Sequence, residues 1–178
     1  METIKKLLKN ISVKIQIGGG IRTLEKADAL LSLGAYRVIF GTAAVKNPSL
    51  VEEAVRKNGS ECVAVAIDEK DGKVAVHGWK NKSKIDYLSL ARSFEKMGVC
   101  ALIFTPISVD GTLKGPRIEK TVKLVEAVKV PVIASGGVAS LEDLVALSGA
   151  GVEGVVVGTA LYEKKFTLKE ALEAVKGC

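Results

Sequence analysis

Residues 14–45 recur as residues 131–162. Gly19-Gly20 aligns with Gly136-Gly137, Leu24-Glu25 with Leu141-Glu142, Ala29-Leu30 with Ala146-Leu147, Gly34 with Gly151, and Gly41-Thr42-Ala43 with Gly158-Thr159-Ala160, always at an offset of 117 residues and without a gap. The match spans an apolar run, a helix-length segment and a second apolar run. An offset of 117 residues is the length of four βα units at roughly 30 residues each. A chain that repeats itself in this way is half of an eightfold arrangement followed by part of the other half.

The rest of the chain agrees. Short β-branched runs alternate with helix-length segments, which is the pattern of βα units on a parallel sheet buried on both faces. Strands are predicted near Lys14–Ile17, Arg37–Phe40, Cys62–Ile67, Ala101–Thr105, Val132–Ala134 and Gly154–Val157. Helices are predicted to begin near Thr23, Asn47, Asp86, Ile118, Ser140 and Thr167, with one more opening the chain. Pro48 after Asn47 and Asp143 three residues after Ser140 are helix-start signals. The strand at Cys62 should have an equivalent 117 residues earlier, about 55 positions ahead of residue 1. The expected fold is therefore α/β, a (βα)8 TIM barrel of which residues 1–178 supply six βα units in a single domain, without strand 1, helix 1 and strand 2.

Composition excludes several classes. With 48% apolar residues the chain can bury one sizeable core. Its apolar runs are strand-sized and far short of the roughly 20 residues that cross a bilayer, so no membrane partner is expected. Met1 to Lys9 is amphipathic and lacks a signal cleavage site, which places the protein in the cytoplasm. Cys62, Cys100 and Cys178 are odd in number and far apart; burial, rather than a disulfide or a metal site, is expected of Cys62 and Cys100. The net charge of +6 comes with only 4% aromatic residues, so an anionic small molecule fits better than nucleic acid.

Each repeat ends two strands in glycine: Gly18-Gly19-Gly20-Ile21-Arg22 with Gly41-Thr42, and Ser135-Gly136-Gly137 with Gly158-Thr159. Such turns let backbone N–H groups approach an anion beside a helix N-terminus, and barrels often bind phosphate after their last two strands. The bland alternative is that the glycines only relieve crowding in tight turns. Repetition of the whole arrangement favours two phosphates on one substrate, held by Gly19, Gly20, Arg22, Gly41 and Thr42 on one side and by Gly136, Gly137, Gly158 and Thr159 on the other.

Asp68 ends the run Val63 to Ile67, so its carboxylate should emerge at the C-terminal rim, where it could act as a general acid or base or merely cap a loop. Asp71-Gly72 reads as a turn between two short strands, the second reaching Trp79 and forming a flap. Trp79 could stack on a heteroaromatic ring or plug the core. His77, the single histidine, is given no catalytic role. Thr105 and Asp110 follow the next strand and add a hydroxyl and a second carboxylate, although Asp110-Gly111 could be only a turn.

These segments together, KIQIGGGIRT at 14–23, Val65–Asp68 with His77-Gly78-Trp79, DGTLKGP at 110–116, ASGG at 134–137 and VGTA at 157–160, resemble the ProFAR isomerases of histidine biosynthesis over essentially the whole chain. The resemblance implies an Amadori rearrangement of an aminoaldose to an aminoketose without metal or organic cofactor. It also implies that Asp68 is the proton donor, that Thr105 and Asp110 support it, and that the base sits on the family's first strand, which has no counterpart here. Pro106, usually acidic, and Arg117, usually Asn, depart from the family pattern. The cyclase subunit of imidazole glycerol phosphate synthase shares the half-barrel repeat but matches His77-Gly78-Trp79 and residues 112–116 less well. A non-catalytic phosphate-binding fragment and a flavin-dependent barrel are the remaining readings. Open barrel edges would favour self-association.

Overall fold

Val63–Lys70 (β3) and Ala101–Pro106 (β6) run side by side at the centre of a parallel sheet, and nearly every residue in them is buried. A computed structural model describes residues 2–76, 78–79 and 81–177. Outward from this pair lie Arg37–Phe40 (β2) and Gln16–Gly18 (β1) on one side. Val132–Ser135 (β7) and Gly154–Val156 (β8) lie on the other. The order is β1-β2-β3-β6-β7-β8, every neighbouring pair parallel. Six barrel strands in this order are the ones expected.

Period-2 alternation gives each strand two faces. Val38, Phe40, Val63, Val65, Ile67, Leu102 and Phe104 pack outward against the helices. The opposite face carries Ala64, Ala101, Ile103 and Ile133, with Ile39 and Ala66 against them. One cavity of about 390 Å³ is lined by Gln16 and Arg37 at one end of the sheet and by Gly154 and Val156 at the other, so the sheet curls toward closure. Its end strands β1 and β8 are mostly exposed or half-buried, unlike the central pair.

The helices are Glu2–Asn10 (α1), Leu24–Ser32 (α2), Thr42–Lys46 (α3), Ser49–Asn58 (α4), Tyr87–Lys96 (α5), Ile118–Ala127 (α6), Leu141–Gly149 (α7), Thr159–Tyr162 (α8) and Leu168–Ala174 (α9). The repeat is reproduced in the backbone. Thr23 and Ser140 cap α2 and α7 in the same extended conformation, each accepting from the N–H three residues on. Gly34 and Gly151 leave those helices at φ 100° and 80°. Gly41 and Gly158 both enter the next helix at φ −112°. Tyr36 N–H donates to Ile15 C=O at 2.9 Å, and 117 residues later Glu153 N–H donates to Val132 C=O at 2.8 Å.

Three expectations need correction. The Asp71-Gly72 turn joins β3 itself to Lys73–Val76 (β4), and a further strand, Asn81–Asp86 (β5), returns to α5, so the flap is the hairpin β4–β5. Cys62 and Cys100 are half-buried, because they sit at the foot of the sheet; the Cys100 thiol donates to Val63 C=O at 3.1 Å. Cys178 lies outside the described residues. Helix α4 starts at Ser49, two residues after Asn47, whose side chain accepts from the Ser49 hydroxyl rather than from a backbone N–H.

Candidate active site

The inward face of β3 reads Ala64, Ala66, Asp68, and that of β6 reads Ala101, Ile103, Thr105. Alternation therefore carries both functional residues to the same side of the sheet at its C-terminal end. Register makes them neighbours: Asp68 pairs with Thr105, and the pairing of Phe104 with Ala134 sets Ser135 one residue further across. The loop after β6 returns Asp110 to this row, where its Oδ1 stands 3.3 Å from the position a Cβ on Gly136 would occupy. Asp68, Thr105 and Asp110 are thus brought together as expected.

Burial pushes the Asp68 carboxyl above the ordinary Asp range. A hydrogen bond from the Trp79 side chain opposes this, the charge of Asp110 adds to it, and the Thr105 hydroxyl opposes it. Desolvation dominates, so the group holds its proton to higher pH than an exposed Asp would. That is the state a general acid needs.

Trp79 does not plug the core. It is 43% exposed and hydrogen-bonds Asp68 from the hairpin turn. Its backbone has φ 71°, a left-handed conformation that costs a bulky residue free energy and collects at functional sites. His77 lies outside the described residues.

The two glycine pairs share a backbone but differ in cover. Gly19 and Gly20 have φ 94° and 68°, as Gly136 and Gly137 have 91° and 84°. Gly136 and Gly137 are buried under the loop after β6, whereas Gly19 and Gly20 are exposed, with Arg22 two residues on and Thr42 at the start of α3 after the next strand. A cavity of about 260 Å³ lies over the second pair, between Asp110, Ser135, Gly158 and Thr159. It is large enough for a phosphate group, and Gly158 at the start of α8 lines it. The equivalent covering loop for the first pair, 117 positions before residues 107–116, falls ahead of residue 1.

Gly137 is required twice over: its φ is positive, and an added Cβ would lie 2.5 Å from Gly115 C=O. Gly19 has only the positive φ, with nothing within 4 Å. Gly137→Ala is therefore expected to cost about 2 kcal/mol more than Gly19→Ala in urea unfolding, since it adds a backbone clash to the strain common to both. Equal costs would show that the second glycine pair is not in close contact with its covering loop.

Sequence reasoning missed Glu69. It follows Asp68 on β3, faces the helices and is fully buried against Lys120 of α6. A carboxylate one step out of phase with the inward row was the available signal. Arg117 precedes α6 without a side-chain cap.

A curled parallel sheet with an acid group at its C-terminal rim and repeated glycine turns around it has the architecture of a βα-barrel enzyme. The chain belongs to the histidine biosynthesis protein family, whose model matches residues 1–167. It is 46% identical over 175 residues to the 1-(5-phosphoribosyl)-5-((5-phosphoribosylamino)methylideneamino)imidazole-4-carboxamide isomerase of Methanothermococcus thermolithotrophicus, covering 98% of this chain and 74% of the relative. The isomerase of the same name from Desulfitobacterium hafniense is 50% identical over 177 residues, covering 97% of this chain and 70% of its own length. A third, from Methanosarcina acetivorans, is 46% identical over 176 residues. Among the described residues no helix is long and apolar enough to cross a membrane.

Proposed function

We propose that this chain carries the acid side of an aminoaldose–aminoketose isomerisation whose substrate is the bis-phosphorylated carboxamide named for its relatives. The observation that carries the reading is the placement of Asp68, its carboxyl pushed upward by burial, between two glycine sites related by the repeat. A substrate with two 5-phosphoribosyl groups has an anion for each end, and the sugar to be rearranged then falls across the rim.

Asp68 gives its proton to the ribose ring oxygen as the C1′–O bond breaks, and the amine lone pair forms the C=N bond of a Schiff base. Loss of the C2′ proton to a base then gives the enolamine, which tautomerises to the ketone. Asp110 and Thr105 hold Asp68 in place, Asp110 by keeping the proton on it and Thr105 by orienting it. The resemblance puts the base on a strand with no counterpart in these residues. The cyclase reading is not favoured, since the relatives carry the isomerase name.

Two phosphates on one linker share a single loss of rigid-body freedom, so the second binds at high effective concentration. A bis-phosphorylated ligand at 100 times its Kd should raise Tm by about 5–10 °C. Ribose 5-phosphate at the same concentration should give far less. Equal shifts in a thermal titration would refute the paired sites.

A further inference from the structure

Glu69 is the only charged residue in the buried interior among the described residues. It stands beside Asp68 in β3 but points to the opposite face, in line with Val63, Val65 and Ile67. Its Oε1 accepts from Gly72 N–H at 2.5 Å and from Lys120 Nζ at 2.7 Å, while Oε2 has no hydrogen-bond partner. Its main-chain carbonyl accepts from Ile107 N–H at 2.9 Å. Burying a carboxylate carries a desolvation cost that one lysine does not fully offset, and an apolar side chain of similar volume would suit packing at least as well. The charge therefore serves something other than stability.

Each of its partners leads to a different part of the rim. Gly72 follows Asp71 in a turn where both residues have positive φ, 78° and 50°, and this turn is the root of the hairpin that delivers Trp79. Ile107, held by the main chain of residue 69 whatever its side chain, begins the loop that delivers Asp110. Lys120 fixes the first turn of α6, where that loop ends. We propose that Glu69 is the positioning residue of this rim, pinning hairpin and loop to β3 so that Trp79 and Asp110 meet Asp68 together. For turnover this rests on the isomerase reading; for geometry it does not.

The test is Glu69→Leu, which keeps the volume and removes the acceptor, while Lys120, one-third exposed, can turn to water. Trp79 is the single tryptophan, so intrinsic fluorescence reports the flap alone. The variant is expected to melt no lower than the wild type, yet its acrylamide quenching should rise roughly twofold as Trp79 leaves Asp68. In the chain completed to active enzyme, kcat should fall by roughly tenfold or more with KM changed less than about threefold. Unchanged quenching and kcat, or a variant that fails to fold, would overturn the proposal and leave Glu69 a packing residue. Increased quenching in an enzyme whose wild type shows no isomerase activity would uphold the positioning role and count against the isomerase reading instead.

Discussion

Asp68→Asn is expected to lower turnover by roughly 10²–10⁴ while ligand affinity changes little. The amide keeps the shape of the side chain and can still accept from Trp79 and Thr105, but it has no acidic proton to give. The same change should stabilise the folded chain near neutral pH. The folded-state pKa of Asp68 is raised, chiefly by burial, above its ordinary value of 3.8. Below that ordinary value the group is protonated in both states and costs nothing; as pH rises through the elevated value, the folded state must carry a desolvated charge that the unfolded chain solvates freely. The stability advantage of Asn should therefore be absent in acid and appear as pH rises toward neutrality. A loss of turnover under tenfold, or an advantage that is largest in acid, would remove Asp68 from its assigned role.

The second large effect concerns the open sheet. A polypeptide of these 178 residues should be nearly inactive alone, and a segment of about 55 to 60 residues carrying the family's first two strands should restore turnover by two or more orders of magnitude. Three features converge on this. The edges of β1 and β8 are unpaired among the described residues, and Val156 on the latter is 48% exposed. The first glycine pair is exposed among the described residues. The resemblance assigns the base to a strand with no counterpart among these 178 residues. Open parallel edges invite pairing, so without the segment the polypeptide should also self-associate. A monomer turning over substrate at the completed enzyme's rate would mean that a residue such as Asp110 serves as base.

Much of this was legible in the sequence because the repeat fixes register as well as topology. Once Gly19-Gly20 is set on Gly136-Gly137, the caps at Thr23 and Ser140 and the strands at 37 and 154 follow. What was not legible is local or tertiary. Helices α3 and α8 are five and four residues long, too short to show a 3.6-residue period. Strand β5, NKSKID, is too polar for a clear alternating apolar pattern and is set by pairing with β4. The Trp79–Asp68 hydrogen bond depends on how the hairpin folds back, and the burial of Glu69 depends on a lysine 51 residues away. The half-exposure of Cys62 and Cys100 reflects which end of the sheet they occupy, which cysteine's usual preference for burial does not encode.

The most direct test is an isomerase assay with the bis-phosphorylated carboxamide as substrate, using these 178 residues completed by the family's first two strands and the same protein carrying Asp68→Asn. Conversion to the aminoketose by the first, reduced at least a hundredfold in the second with binding retained, is the predicted result. No conversion by the completed wild-type protein, or equal conversion by both, would contradict the account.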